Sequence, residues 1–106
     1  MHEPAKAKAT IDTDEMLANA EMASSFLKAL ANPNRLMILC LLAEGELSVG
    51  QLEARLSLRQ PTLSQQLARL RADNLVATRR DAKNIYYSLA SAEAKAVIGM
   101  LYDLFC

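Results

Sequence analysis

Histidine is almost missing from this 106-residue sequence: the one copy, His2, stands next to Met1. Zinc needs three or four His or Cys ligands in register, so no metal site is expected, and no cofactor either. Cysteine is nearly as scarce, with Cys40 and Cys106 lying 66 positions apart and no CxxC pair between them. That excludes a thioredoxin-like redox motif. No Ser, His and Asp constellation and no glycine-rich phosphate loop is present, which argues against an enzyme, including a small sulfur-transfer catalyst working through Cys106. Long apolar runs are absent too: nothing approaches the roughly 18 residues that span a bilayer, and the N-terminus lacks the apolar stretch of a signal peptide. A cytoplasmic protein without a membrane partner is expected. Glycine and proline number three each, so helix should dominate.

What is present describes an ordinary folding domain. Hydrophobic residues make up 52% of the chain and charged ones 23%, values that exclude a largely disordered or collagen-like polypeptide. The length suits one domain. Twelve basic and twelve acidic side chains cancel, but they are not mixed evenly. Residues 1–54 carry four basic and eight acidic groups, whereas 55–83 carry seven basic ones against Asp73 and Asp81. The middle of the chain is thus a cationic segment, the electrostatic footprint of a phosphate binder or, more blandly, a solvated surface.

Residues 1–11 show no apolar periodicity and read as a flexible arm, leaving 12–106 as the domain. From Asp12, small or apolar residues recur at Met16, Ala20, Ala23, Leu27 and Leu30, the spacing of one helical face. Asn32 and Pro33 supply a cap and a first-turn proline for a second helix that Gly45 can stop. Ser48 caps a short third helix, Ser57 to Arg59 form a tight connection, and a fourth helix opens around Pro61 and ends at Asn74. Two short helices so joined spell helix-turn-helix. The β-branched and aromatic runs at 75–80 and 84–89, separated by polar residues, predict a two-stranded hairpin. Ser91 then caps a last helix with Ala94, Val97, Ile98, Leu101, Leu104 and Phe105 at helical spacing.

The expected fold is therefore mainly α with a small β-hairpin: a winged helix-turn-helix in the order α-α-α-α-β-β-α. Such a unit reads double-stranded DNA with the start of its second motif helix in the major groove. Here that start offers Gln60, Thr62, Ser64 and Gln65, all hydrogen-bonding side chains, and Gln65 has the reach for a bidentate contact with adenine. Arg59, Arg69 and Arg71 suit phosphates, which set register without reading sequence. Arg79, Arg80 and Lys83 fall at the wing, where they would meet phosphate or the neighbouring minor groove. A winged helix devoted to protein partners would leave this basic face unexplained.

These runs together resemble the ArsR/SmtB family of bacterial winged-helix repressors. The likeness is carried by LKALANPNRLMIL at 27–39, ELSVGQL at 46–52 and QPTLSQQLARLR at 60–71, and extends from about Met16 to the end. It implies operator DNA as partner and a homodimer built from the first and last helices. Ser48 and Gly50 stand where arsenic and cadmium sensors of the family carry a Cys-x-Cys pair, so soft-metal sensing at that place is not implied.

The two cysteines remain to be placed. In a reducing compartment such a pair is inert core or a redox switch, and the apolar run around Cys40 favours core. The resemblance points elsewhere. A subgroup of the family senses reactive sulfur species, with one cysteine at this place in the second helix and another near the end of the last. By that likeness, low-molecular-weight persulfides would join Cys40 and Cys106 through a di- to tetrasulfide and release DNA. The alternatives are a response to general oxidants or to a thiophilic metal through the same thiols. Apolar surroundings raise a thiol pKa and blunt attack by ordinary oxidants. Because a direct disulfide needs Cα atoms within about 7 Å and each added sulfur extends the reach by about 2 Å, a more widely separated reduced pair is expected.

Overall fold

A computed structural model describes residues 12–106; the arm expected over 1–11, with His2, lies outside them. Helix α1 spans Thr13–Leu30, opened by Asp12, whose carboxylate accepts the Asp14 backbone N–H at 3.3 Å. Asp14 and Glu15 in its first turn and Lys28 in its last match the helix dipole. Only Ala29 and Leu30 of α1 are buried. The apolar stripe read along this helix is real but mostly faces outward, with Met16, Leu17, Met22 and Leu27 exposed.

Helix α2 (Pro33–Ala43) leaves α1 at an angle of 93°. Asn32 caps it by accepting the Arg35 N–H at 3.1 Å, and Pro33 takes the first turn. Gly45 follows at φ 151, a backbone that L side chains avoid, and its N–H closes on the Leu42 carbonyl. Arg35 is almost completely buried, with 9% of its surface exposed. Its Nε donates to the Ala29 carbonyl at 2.6 Å and a terminal nitrogen to the Lys28 carbonyl at 3.1 Å. Both carbonyls belong to the last turn of α1, where a cation also suits the dipole, and that of Lys28 also accepts the Ala31 N–H at 3.2 Å. The other terminal nitrogen donates to Gln66 Oε1 at 3.1 Å.

Strand β1 (Leu47–Ser48) leads into helix α3 (Val49–Leu56), which carries a full capping box: Ser48 Oγ accepts the Gln51 N–H and Gln51 Oε1 accepts the Ser48 N–H. Ser57, at φ 57, turns the chain through Leu58 and Arg59 into helix α4 (Gln60–Ala72). Pro61 is the second residue of α4 rather than the first, a one-residue shift at a boundary where the proline still loses no hydrogen bond. Asn74, at φ 60, ends α4: its N–H reaches the Arg71 carbonyl while the Leu75 N–H reaches that of Leu70. This is a Schellman arrangement with its hydrophobic pair, Leu70 and Leu75, both buried.

Strands β2 (Val76–Asp81) and β3 (Asn84–Leu89) pair antiparallel from Val76↔Leu89 to Asp81↔Asn84, leaving Ala82 and Lys83 as the turn. The sheet has three strands, in the order β1-β3-β2, because Leu47 and Ser48 pair with Tyr87 and Tyr86. A strand of two residues shows no alternation, so the sequence predicts only the hairpin. Helix α5 (Ala92–Phe105), capped by Ser91, buries Ala94 and Ile98 and exposes Met100, Tyr102, Leu104 and Phe105. Ile38, Leu39, Leu52, Leu63, Leu70 and Ile98 are the largest fully buried side chains, so α2, α3, α4 and α5 share one core. No single helix among the described residues is long and apolar enough to cross a membrane.

Replacing Arg35 by Met keeps the bulk but removes three hydrogen bonds, including the buried one to the Ala29 carbonyl. Such a change should cost about 3 kcal/mol of stability. Denaturant unfolding measures it, and a loss below about 0.5 kcal/mol would show that the tie is energetically idle.

Candidate nucleic-acid interface and thiol groove

Helix α4 buries Leu63, Leu67 and Leu70 against the core, and the opposite face is what the solvent sees. Gln60, Ser64, Gln65, Arg69 and Arg71 are exposed and Thr62 half-buried, so the four polar residues expected to read bases do stand at the free start of this helix. Gln60 Nε2 donates to Ser64 Oγ at 3.3 Å, one turn along. Arg59 precedes them, exposed, as the N-cap residue without a side-chain cap bond. Arg69 is tied to Asp73 at 2.8 Å, an exposed pair one turn apart.

The wing divides its three cations. Arg79 Nε and one terminal nitrogen hold both oxygens of Glu46, at 3.0 and 2.7 Å. Asp81 lies 3.8 Å from the other terminal nitrogen, and the guanidinium sits 4.6 Å over the Tyr86 ring. The register explains this: Tyr86 faces Arg79 on one side and Ser48 on the other, so Arg79 reaches across β3 to the residue just before β1. Arg79 holds the Glu46 carboxyl below the usual carboxylate range, chiefly through the hydrogen bond, and Glu46 in turn raises Arg79. Arg80 and Lys83 are exposed, with no acid within ion-pair distance among the described residues. The sequence suggests three equivalent wing cations; the structure shows one serving as a brace and two with their charge available.

Taken together, α3, its three-residue turn, α4 with a polar leading edge, and a hairpin with free cations form a winged helix-turn-helix. Residues 32–78 match the sequence family described as bacterial regulatory protein, arsR family. The chain is 50% identical over 98 residues to the transcriptional activator HlyU of Vibrio cholerae, covering 92% of this chain and 91% of that protein. This chain belongs to the ArsR family. It is also 59% identical over 80 residues to a biofilm growth-associated repressor of Agrobacterium fabrum, covering 76% of this chain and 68% of that one. Among solved structures, reduced HlyU from Vibrio cholerae superposes with a TM-score of 0.84 at 52% identity, covering 87% of this chain and 97% of that chain. As a family member the chain is a DNA-binding transcriptional regulator and not an enzyme.

A groove with no α4 residue in its lining holds the two cysteines. Cys40, half-buried on α2, and Cys106, exposed at the end of α5, are both free thiols, and the groove they line measures about 460 Å3. Apolar side chains make most of its wall, among them Leu36, Met37, Leu41, Leu56 and Tyr102. Burial pushes the Cys40 thiol up, and the nearby Cys106 adds to the shift by disfavouring a second negative charge.

Three residues with evident structural roles escape a reading of the sequence: Arg35, Glu46 and Tyr86. Arg35 leaves one trace. A cation in the first turn of a helix opposes that helix's own dipole, which hints that it serves another acceptor.

Proposed function

We propose that this ArsR-family chain acts as a homodimeric repressor, holding operator DNA until persulfides bridge Cys40 to Cys106. The observation that carries the switch is the shared groove: thiols 66 positions apart in sequence line one cavity, on two helices packed against each other. Dimerisation through α1 and α5 is supported by their outward apolar faces, with Met22 71% exposed, Leu104 67% and Phe105 81%. Large apolar side chains left exposed along two helices mark a surface for protein–protein contact.

In the DNA complex Gln60, Thr62, Ser64 and Gln65 meet base edges, and Arg59, Arg69 and Arg71 fix register on phosphates. Arg80 and Lys83 supply the wing's phosphate contacts, and Arg79 contributes mainly by bracing the wing against Glu46. Of the two thiols the exposed one, Cys106, reacts first. Its thiolate attacks the terminal sulfur of a persulfide RSSH, giving a Cys106 persulfide and releasing RS⁻, which takes up a proton. Cys40 acquires a sulfur in the same way. The terminal sulfur of one protein persulfide then attacks the inner sulfur of the other, closing a trisulfide and expelling hydrosulfide. Two donors are consumed, two thiols RSH and one H2S are released, and the oxidant is the donor's own sulfane sulfur. If Cys40 attacks the Cys106 persulfide directly, the product is the disulfide. A further sulfur gives the tetrasulfide.

The link joins α2, the centre of the core, to α5, a wall of the proposed dimer, and so alters the spacing of the two α4 helices. Half-sites about 34 Å apart tolerate little such change. The support from relatives is mixed in sign, since one is named an activator and another a repressor.

Cys40→Ser and Cys106→Ser proteins should bind operator like the parent and stay bound after persulfide treatment, read by fluorescence anisotropy. Normal release by either variant would overturn the switch. In a salt titration, Arg80→Ala should lower the slope of log K against log salt by about 1. Arg79→Ala should lower it less, because Glu46 already neutralises that charge; equal losses would contradict the division of the wing cations.

A further inference from the structure

Besides its cysteines and the Tyr102 hydroxyl, the thiol groove has one charged feature. Glu44, at the end of α2, and Arg55, on α3, stand side by side on its lining, 3.8 Å apart. That separation is too long for a hydrogen bond, and both side chains are about half exposed, at 54% and 51%. Such a surface pair contributes little to stability and opens at little cost. It offers a planar donor fork and a carboxylate acceptor next to each other, against a mostly apolar wall. We propose that the groove receives small persulfides bearing a zwitterionic α-amino-acid group, whose carboxylate Arg55 takes and whose ammonium Glu44 takes. This inference rests on the persulfide reading above and names the class of donor.

Position agrees with charge. Cys40 and Glu44 are four residues apart on α2, so their side chains rise from one face at about 5–6 Å spacing. A cysteine-type persulfide spans about 4 Å from its α-carbon to its terminal sulfur. With its amino-acid end on Glu44 and Arg55, the reactive sulfur lies one helical turn back, where Cys40 and Cys106 line the same groove. A cavity of about 460 Å3 accommodates such a molecule and somewhat larger peptide persulfides. Guanidinium is suited to the carboxylate because its fork binds both oxygens. The chemistry is that already written: the sulfane sulfur passes to a protein thiolate and the donor leaves as its thiolate.

The test compares two donors on the reduced full chain, cysteine persulfide and the uncharged 2-hydroxyethyl persulfide. Bridging is followed by intact mass, and each rate is normalised to the same donor's reaction with a free small thiol. The parent protein should favour cysteine persulfide by about tenfold, and Arg55→Gln or Glu44→Gln should bring that ratio close to one. A ratio near one in the parent, or one that neither substitution moves, overturns the proposal while leaving the switch intact. A substitution that merely disturbs the fold slows both donors and leaves the ratio where it was. Failure of both donors to bridge the parent chain would overturn the switch itself, and this inference with it.

Discussion

The guanidinium of Arg35 fastens together three helices that would otherwise meet only through apolar contacts. It fills the carbonyl end of α1, stands in the first turn of α2, and holds Gln66 on the inner side of α4. A buried cation is tolerated there because each of its three nitrogens donates to an oxygen, two of them carbonyls in the last turn of a helix. The same contact sits at the 93° corner between α1 and α2. Removing this side chain breaks all three bonds at once, so one residue ties the end of α1 and the inner side of α4 to α2.

Helix α2 then becomes the common wall of everything functional. Its Ile38, Leu39 and Leu42 fill the core, Arg35 reaches α4, and Cys40 opens onto the groove shared with α5. On the proposed reading, a sulfur bridge to α5 acts on an element already in contact with α1, α3, α4 and β3. Such a wall cannot shift without moving its neighbours, since close-packed interiors do not yield locally. Allosteric couplings of about 1–3 kcal/mol are the usual yield of such arrangements, enough to change operator occupancy many-fold.

Most of this architecture is legible in the sequence because it is written locally. Asn32 with Pro33, Ser48 with Gln51, Asn74, and Ser91 each act within a few residues of themselves, and the helix-turn-helix follows from their spacing. The polar start of α4 is equally local, so its candidate base readers are found by position alone. What escapes is long-range. Glu46 meets Arg79 from 33 positions away, because β1 joins the hairpin through a pairing too short to leave a pattern. Arg35 reaches Gln66 across 31 positions, and no periodicity announces it. The groove shared by Cys40 and Cys106 is likewise a product of α2 packing on α5. Family likeness pairs those residues, whereas their spacing in the chain does not.

The central claim is that a bridge across the groove, and nothing else, frees the DNA. It is tested most directly by adding a persulfide stepwise and taking, from each sample, an intact mass and an operator-binding isotherm. The account predicts a species that has lost two hydrogens and gained up to two sulfur atoms, with operator binding falling in proportion to its share. Bridged protein that still holds operator at full affinity, or release from protein whose mass has not changed, would contradict it.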